Sequence, residues 1–276
     1  MPRSRVRPSG FTLVELAVVL TIVAFLLASL MLTLSAQTEQ RNLDETRRRL
    51  ETARELILSY AAVNGRLPCP ARSAATAAPV TVSGDEVRNS ATNPDCVGDA
   101  VTDYYGGTSG GVTLGLLPAR TIGFQQVDPG GLAIDAWGNR IRYAVAYTVL
   151  AASCTATLPH FTNTTNLRTN GIACRPDDLL ICKSATGITG TTCGGASNQI
   201  MSQNLVVAVI FSTGKNGGTP TGGTGLDEAA NLNGDRVFVF HTPTPSDFAN
   251  GEYDDQFTWI TVGELYGRMI AAGTLP

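Results

Sequence analysis

Residues 10–16, Gly-Phe-Thr-Leu-Val-Glu-Leu, open an apolar run that decides how this chain is built. From Leu16 to Ala36 the chain has 21 residues without a formal charge. A helix of that length rises about 31 Å, close to the roughly 30 Å hydrocarbon core of a bilayer. The sequence therefore predicts a membrane-spanning helix over about residues 13–36.

Glu15 places a carboxylate at the start of this run, where an unpaired charge in lipid is costly. A partner arises if the bond after Gly10 is cut, because Phe11 then carries a new α-ammonium group four residues before Glu15. Groups spaced i, i+4 lie on one face of a helix. The ammonium can belong to the same chain or to a neighbouring copy.

Residues 1–10 form a basic leader with arginines at positions 3, 5 and 7 and no acid. Basic residues beside an apolar span tend to stay in the cytoplasm, so the bulk of the chain is expected outside. An ordinary secretory signal has a shorter apolar region and a small-residue cleavage site. Here the run is longer, and the best such site, Leu34-Ser35-Ala36, is poor.

The stretch from Gly10 to Leu16 resembles the type IV pilin and pseudopilin signature: a short basic leader ending in Gly, a mature chain starting with Phe, and Glu as its fifth residue. The resemblance implies cleavage after Gly10 by prepilin peptidase, N-methylation of Phe11, and a filament in which Glu15 neutralises a neighbour's Phe11 ammonium. Implied partners are other pilins or pseudopilins, the peptidase and an inner-membrane assembly platform. We expect a single-pass protein of the bacterial inner membrane, with its C-terminal domain periplasmic and able to enter a filament.

The length and charge of the chain leave room for one globular domain after the helix. Of 276 residues, 214 follow the first 62, enough for a real core with large loops. Removing the leader's three arginines from the formal net charge of −3 gives −6. This negative net charge gives no support for binding to nucleic acid, and no nucleic-acid partner is expected.

A long helix is predicted over residues 11–63, because no Pro or Gly interrupts it before Gly65. In its outer half Leu43, Leu50 and Ile57 recur every seven residues, with Thr46, Ala53 and Tyr60 between them. This one-sided stripe predicts packing on a sheet, and a solvated coiled-coil arm is the alternative. The globular domain is then residues 64–276.

Four segments of this domain read as strands. Residues 141–149 alternate apolar and smaller side chains, which indicates one buried face. Residues 205–211 are apolar on both faces, which indicates a central strand. Two more strands are predicted at 237–240 and 257–262, and a short helix at 264–272. Residues 71–112 read as loop.

The turn Asp135-Ala136-Trp137-Gly138-Asn139 precedes the first of these strands. It resembles the Asp-Pro-Trp-Gly-Asn-Pro turn of the major type II secretion pseudopilin, with Ala136 in place of Pro. The match is short, and its position after the long helix supports it.

Six cysteines follow the apolar run, an even number that in an exported domain indicates disulfides: Cys69, Cys96, Cys154, Cys174, Cys182 and Cys193. The sequence does not fix their connectivity; pairing of neighbours, which closes the shortest loops, is our prediction. Zinc is a weaker alternative, since there is no Cys-x-x-Cys and only two histidines. Four of the cysteines lie in residues 150–203, interpreted as a disulfide-stapled insertion.

A glycine-rich loop follows the central strand, with five acids in the segments after it: Asp227, Glu228, Asp235, Asp254 and Asp255. The order of Ser-x-Gly-x-x-Gly from Ser212, then acids, then Asp-Asp before a Trp resembles the calcium loop of the major pseudopilin. Calcium takes six to eight oxygen ligands, and this region supplies oxygens in plenty. Solvated turns are the alternative interpretation.

The sequence thus predicts an α+β, pilin-like fold: a long N-terminal helix, its outer half packed on a small antiparallel sheet, with long disulfide-stapled loops. The expected function is a structural subunit, a minor pilin or pseudopilin of a type IV pilus or type II secretion filament, and not an enzyme. Alternatives are a membrane-anchored periplasmic enzyme and a tip adhesin or ligand-binding module. Gly107–Gly111 fits Gly-x-Ser-x-Gly but lacks the strand and helix that a nucleophile needs on either side.

Overall fold

The computed structural model describes residues 12–73, 83–88, 96, 102–109, 112–152, 154–155, 158–218, 223 and 225–275. For residues 27–36, 102–103, 107–109 and 112 it describes the backbone alone. The leader, residues 1–10, and Phe11 lie outside the described residues.

Helices and mostly antiparallel strands make up the described chain, which is the composition of an α+β fold. The helices are α1 Leu13–Asn64, α2 Thr102–Tyr105, α3 Ala119–Ile122, α4 Thr164–Asn170, α5 Leu226–Ala230 and α6 Val262–Ala271. The strands are β1 Gly107–Ser109, β2 Val112–Leu114, β3 Arg142–Val145, β4 Leu180–Cys182, β5 Gln199–Met201, β6 Val206–Ser212, β7 Val237–Val239 and β8 Gln256–Thr261.

The chain divides into two compact units, Met1–Asp44 and Glu45–Pro276, and α1 contributes residues to both. In the first unit the described apolar side chains of α1 are exposed, for example Leu13 at 85% and Phe25 at 78%. Over the residues that the structure describes, no helix combines the length and the apolar character needed to cross a membrane.

In the second unit, α1 packs into the core through the predicted stripe. Thr46, Leu50, Ala53 and Ile57 are all buried, and the three apolar ones share a core with the central strand β6. The interpretation as a packed helix is therefore right for this segment, and the solvated arm is wrong. The helix ends at the predicted stop, because Gly65 adopts a left-handed φ of 70° and its N–H donates to the Ala61 carbonyl at 2.9 Å.

The main sheet is antiparallel and has the order β3-β6-β8. Its central strand β6 is buried at every residue, as the unbroken apolar run predicts. Strand β8 and helix α6 begin and end within two residues of the bounds predicted from the sequence. Strand β3 is shorter than predicted and is buried on both faces from Tyr143 to Ala146, because other segments cover the face that alternation assigned to solvent.

A second sheet has the order β5-β4-β7, in which β4 pairs antiparallel with β5 and parallel with β7. The strand predicted at 237–240 therefore belongs to this sheet and pairs with β4, which lies inside the predicted insertion 150–203. That insertion supplies two strands to the domain. A strand of three residues, Leu180–Cys182, is too short for alternation to reveal.

The segment read as loop, residues 71–112, contains regular structure where it is described. Helix α2 is followed by β1, which pairs antiparallel with β2. Strand β1 is three residues long and begins with glycine, which is depleted in strands, so the sequence did not predict this hairpin.

Three disulfides join Cys69 to Cys96, Cys154 to Cys174 and Cys182 to Cys193. This is the pairing of sequence neighbours that closes the shortest loops. The separations are 27, 20 and 11 residues, so each bond secures a local excursion of the chain. Each limits the entropy that its loop gains on unfolding.

Replacing Ile57 by Ala tests the packing of α1. Ile57 is 0% exposed, so Ile57→Ala should lower the free energy of unfolding by about 2–5 kcal/mol. Val63→Ala on the same helix is the matched control, because Val63 is 82% exposed and should change stability by less than about 0.5 kcal/mol. Urea denaturation of the full chain in detergent micelles, followed by tryptophan fluorescence, measures both; equal losses would contradict the packing.

Candidate functional site

Thr12 and Glu15 form a reciprocal cap at the start of α1. The Thr12 N–H and hydroxyl donate to Glu15 Oε2 at 2.8 and 2.9 Å, and the Glu15 N–H donates to Thr12 Oγ1 at 3.3 Å. This is the capping box, in which two otherwise unpaired N–H groups are satisfied. Glu15 thus has a partner in its own chain. Gly10 and Phe11 lie outside the described residues, so the pairing of Glu15 with an ammonium group stays a prediction.

The five acids of the predicted cation site do not all come together. Glu228, Asp254 and Asp255 each place a carboxylate oxygen within 4.8 Å of the other two. Glu228 sits on α5, and the two aspartates directly precede β8. Glu228 and Asp255 are buried, at 0% and 2% exposure. We refer to these three residues as the acidic cluster.

Each aspartate of the acidic cluster has one oxygen that accepts hydrogen bonds and one that does not. Asp254 Oδ2 accepts from the N–H groups of Lys215 and Asn216 at 3.0 and 3.3 Å. Asp255 Oδ2 accepts from Asn231 Nδ2 at 2.7 Å. Within the described part of the chain, no donor reaches the buried Oδ1 of either residue. Both free oxygens are therefore available to a cation.

Asn216 joins the acidic cluster through its side chain. Its Nδ2 donates to both Glu228 oxygens, at 3.0 and 3.2 Å. Its own Oδ1 is buried and has no donor among the described residues. Glu228 also accepts from the N–H groups of Asp254 and Gly225. Asn216, Asp254 and Asp255 thus each have one buried oxygen that accepts no hydrogen bond from the described residues, while Glu228 is held by donors of Asn216, Asp254 and Gly225.

The electrostatics of the acidic cluster disfavour negative charge. Burial, and next the nearby Glu228, raise the pKa of Asp254 to about 7. Burial also raises the pKa of Asp255 well above its usual range, with Glu228 and Asp254 adding to the effect. Carboxylates brought this close repel one another unless a proton or a cation lies between them.

Glycines allow the loop to approach the acidic cluster this closely. A Cβ on Gly214 would lie 1.9 Å from Asp254 Oδ1, and one on Gly223 would lie 1.7 Å from Glu228 Oε2. Gly214 also has a φ of 62°, a left-handed conformation that favours glycine. Contact with carboxylates thus explains the glycines at positions 214 and 223.

Asp227 and Asp235 lie apart from the acidic cluster. Asp227 accepts from the Ala185 N–H at 2.5 Å and from Asn250 Nδ2 at 3.0 Å, and it contacts His241 Nε2 at 3.1 Å. Asp235 accepts from the Val237 N–H and from Asn233. The structure therefore does not bring these two into the acidic cluster, and each carboxylate accepts hydrogen bonds elsewhere.

Ser109, the serine of the Gly-x-Ser-x-Gly pattern, ends strand β1 and pairs with Val112 of the same hairpin. A nucleophile elbow needs a strand-to-helix turn at this point. The described backbone around Ser109 has a different geometry.

A comparison with protein-family models matches residues 5–31 to the prokaryotic N-terminal methylation motif. This motif is the type IV prepilin-like signal, and it covers Gly10, Phe11 and Glu15. Over these residues the chain carries the type IV prepilin-like signal, which supports a type IV pilin-like protein. Searches of curated proteins and of solved structures found no match to it.

Two features of the described chain have sequence signals that the predictions above did not include. Thr12-x-x-Glu15 is the capping-box pattern, which would have placed the helix start at Leu13 instead of Phe11. Asn216, in Ser-x-Gly-x-Asn, is an oxygen donor of the type that calcium accepts. Only the fold shows that its Oδ1 is free and that Asp227 is not.

Gly214→Ala tests the close contact with Asp254. Gly123 is the matched control, since its φ is 77° and a Cβ there meets nothing within 4 Å. Both substitutions incur the left-handed cost of about 1–2 kcal/mol, and Gly214→Ala should lose at least as much again because its Cβ collides with a carboxylate. Urea denaturation compares the two variants; an equal loss of stability would show that the loop does not hold Gly214 against Asp254.

Proposed function

We propose that this protein is a structural subunit of a filament, a minor pilin or pseudopilin of a type IV pilus or a type II secretion system. The observation that carries the proposal is the methylation motif over residues 5–31. In this proposal prepilin peptidase cuts after Gly10, Phe11 becomes the methylated N-terminus, and the apolar run holds the subunit in the inner membrane until assembly.

Three disulfides support a periplasmic location for the globular domain, because such bonds persist in oxidising compartments. A domain that carries a second sheet and stapled loops is bulky for a subunit that must repeat everywhere along a fibre. These features favour a minor subunit over the major one. Other subunits and the inner-membrane assembly platform would be its partners.

Glu15 has a different role before and after assembly in this proposal. Before assembly its carboxylate accepts hydrogen bonds from the N–H and hydroxyl groups of Thr12. These bonds satisfy a backbone donor at the start of α1. In the filament it would neutralise the Phe11 ammonium of a neighbouring subunit and so set the register between helices. Such a charge pair would select one register between neighbouring helices, because each charge is costly in an apolar setting when it is unpaired.

Two substitutions at Glu15 separate the cap from the charge. Glu15→Gln retains an acceptor for the capping box but carries no charge, whereas Glu15→Val loses both. Neither makes the run more polar, so insertion and cleavage should remain. Both variants should enter filaments less, by about tenfold if about 1.4 kcal/mol of pairing energy is lost.

Shearing the filaments and quantifying the incorporated subunit measures this effect. Incorporation of Glu15→Gln at the wild-type level would show that charge is not required and would refute the pairing. If Glu15→Val alone were impaired, the cap would be the assembly determinant.

We further propose that the acidic cluster and Asn216 hold a calcium ion. The atoms that these residues offer to a metal are all oxygens. Oxygen ligands suit a hard cation such as calcium, whereas the usual ligands of zinc are His and Cys. The three buried oxygens without donors and the raised pKa values of Asp254 and Asp255 support this assignment. Calcium accepts six to eight ligands at irregular positions, and backbone carbonyls or water would complete its shell.

Thermal melts in calcium, in magnesium and with chelator test the site. Calcium alone should raise the melting temperature, with about 2.7 kcal/mol of stabilisation at a hundred times Kd. Asp254→Asn combined with Asp255→Asn should abolish the increase and, in chelator, melt no lower than wild type, because it removes the repulsion. Asp235→Asn is the control that keeps the response. Identical wild-type melts in calcium and chelator would leave these acids without a metal.

A further inference from the structure

The turn from Asp135 to Asn139 is bound to the loop that approaches the acidic cluster. Asn139 Nδ2 donates to the Gly214 carbonyl at 2.6 Å. From the other side, the Ser212 hydroxyl donates to Asp135 Oδ2 at 2.5 Å and accepts from the Gly214 N–H at 3.1 Å. Both polar groups of Gly214 are therefore fixed, one by the turn directly and the other through Ser212.

The turn that provides these bonds closes around Asp135, which is buried, whereas Gly138 at its tip is exposed. Asp135 is 1% exposed, and its Oδ1 accepts from the N–H groups of Trp137 and Asn139 at 2.9 and 2.8 Å. Helix α1 holds the turn from outside, because Arg49 donates to the Asp135 carbonyl at 2.7 Å and Thr46 accepts from the Ala136 N–H. Hydrogen bonds within the turn and to α1 therefore hold its Asp135 end in place.

Gly214 connects the turn to the acidic cluster, because it bonds Asn139 of the turn and directly precedes two residues that bond Asp254. The next two N–H groups, of Lys215 and Asn216, donate to Asp254 Oδ2 and orient that carboxylate. Asn216 then brings its own side chain to Glu228. A shift of the Gly214 peptide would displace two of the three free oxygens, those of Asn216 and Asp254.

We infer that Asn139 and Asp135 are positioning residues for the cation site: they hold the Gly214 peptide so that Asp254 and Asn216 face the ion. The inference rests on the proposed calcium site. Outer residues that orient the ligands of a metal typically change its affinity by about tenfold to a hundredfold. The Asp-Ala-Trp-Gly-Asn turn thereby acquires a role beyond leading into β3.

Calcium titration of Asn139→Ala tests this role in the full chain purified in detergent micelles. Asn139→Ala removes the donor to Gly214 and should weaken calcium binding by about tenfold to a hundredfold. Ser212→Ala should weaken it as well, because the Gly214 N–H loses its acceptor. Isothermal calorimetry gives the affinity, and melts in chelator give the stability of each variant without metal.

Asn198→Ala is the matched control. Its amide also donates to backbone carbonyls, those of Ser184 and Cys193, both at 2.9 Å. This variant should lose stability in chelator and keep the wild-type calcium affinity, which separates a positioning role from a merely structural one.

Wild-type affinity in both Asn139→Ala and Ser212→Ala would overturn the inference and leave the calcium site intact. No calcium binding by the wild-type chain would overturn the calcium site and this inference with it. The two failures are distinguished by the wild-type titration, and neither depends on incorporation into filaments.

Discussion

The buried stripe on the outer part of α1 is the constraint on which the rest of the globular domain depends. Leu50, Ala53 and Ile57 share the core of strand β6. Polar residues on the same part of the helix fix its neighbours: Thr46 and Arg49 hold the Asp135 turn, and Arg54 donates to the Trp259 carbonyl of β8. One helix face thus positions the sheet and the turn that binds the Gly214 peptide.

The acidic cluster shows how such a scaffold can maintain an unfavourable arrangement. Burial and mutual repulsion raise the pKa values of Asp254 and Asp255. The two carboxyl groups therefore favour binding a proton or another cation over carrying an unpaired negative charge. Close approach of Gly214, and the hydrogen bonds that fix its peptide, keep the carboxylates in place. Without these contacts the carboxylates could move apart and become hydrated.

Strong and continuous patterns in the sequence predicted most of the fold. The long helix, its Gly65 stop, the fully apolar strand β6 and the terminal helix α6 each follow from a run long enough to show its period. Strands β4 and β5 were not predicted, because three residues carry no period. The strand at β7 was predicted, but its pairing with β4 is set by contacts distant in sequence. In the candidate site, composition identified the acids, but only the fold separates Glu228 from Asp227, its neighbour in sequence on the same helix.

The proposed filament function begins with the N-terminus that the methylation motif implies. Intact mass spectrometry of the protein extracted from the membrane tests it most directly. The account predicts the mass of residues 11–276 with one added methyl group, since cleavage follows Gly10 and Phe11 is methylated. A mass beginning at Met1, or at a residue near Gln37, would contradict it.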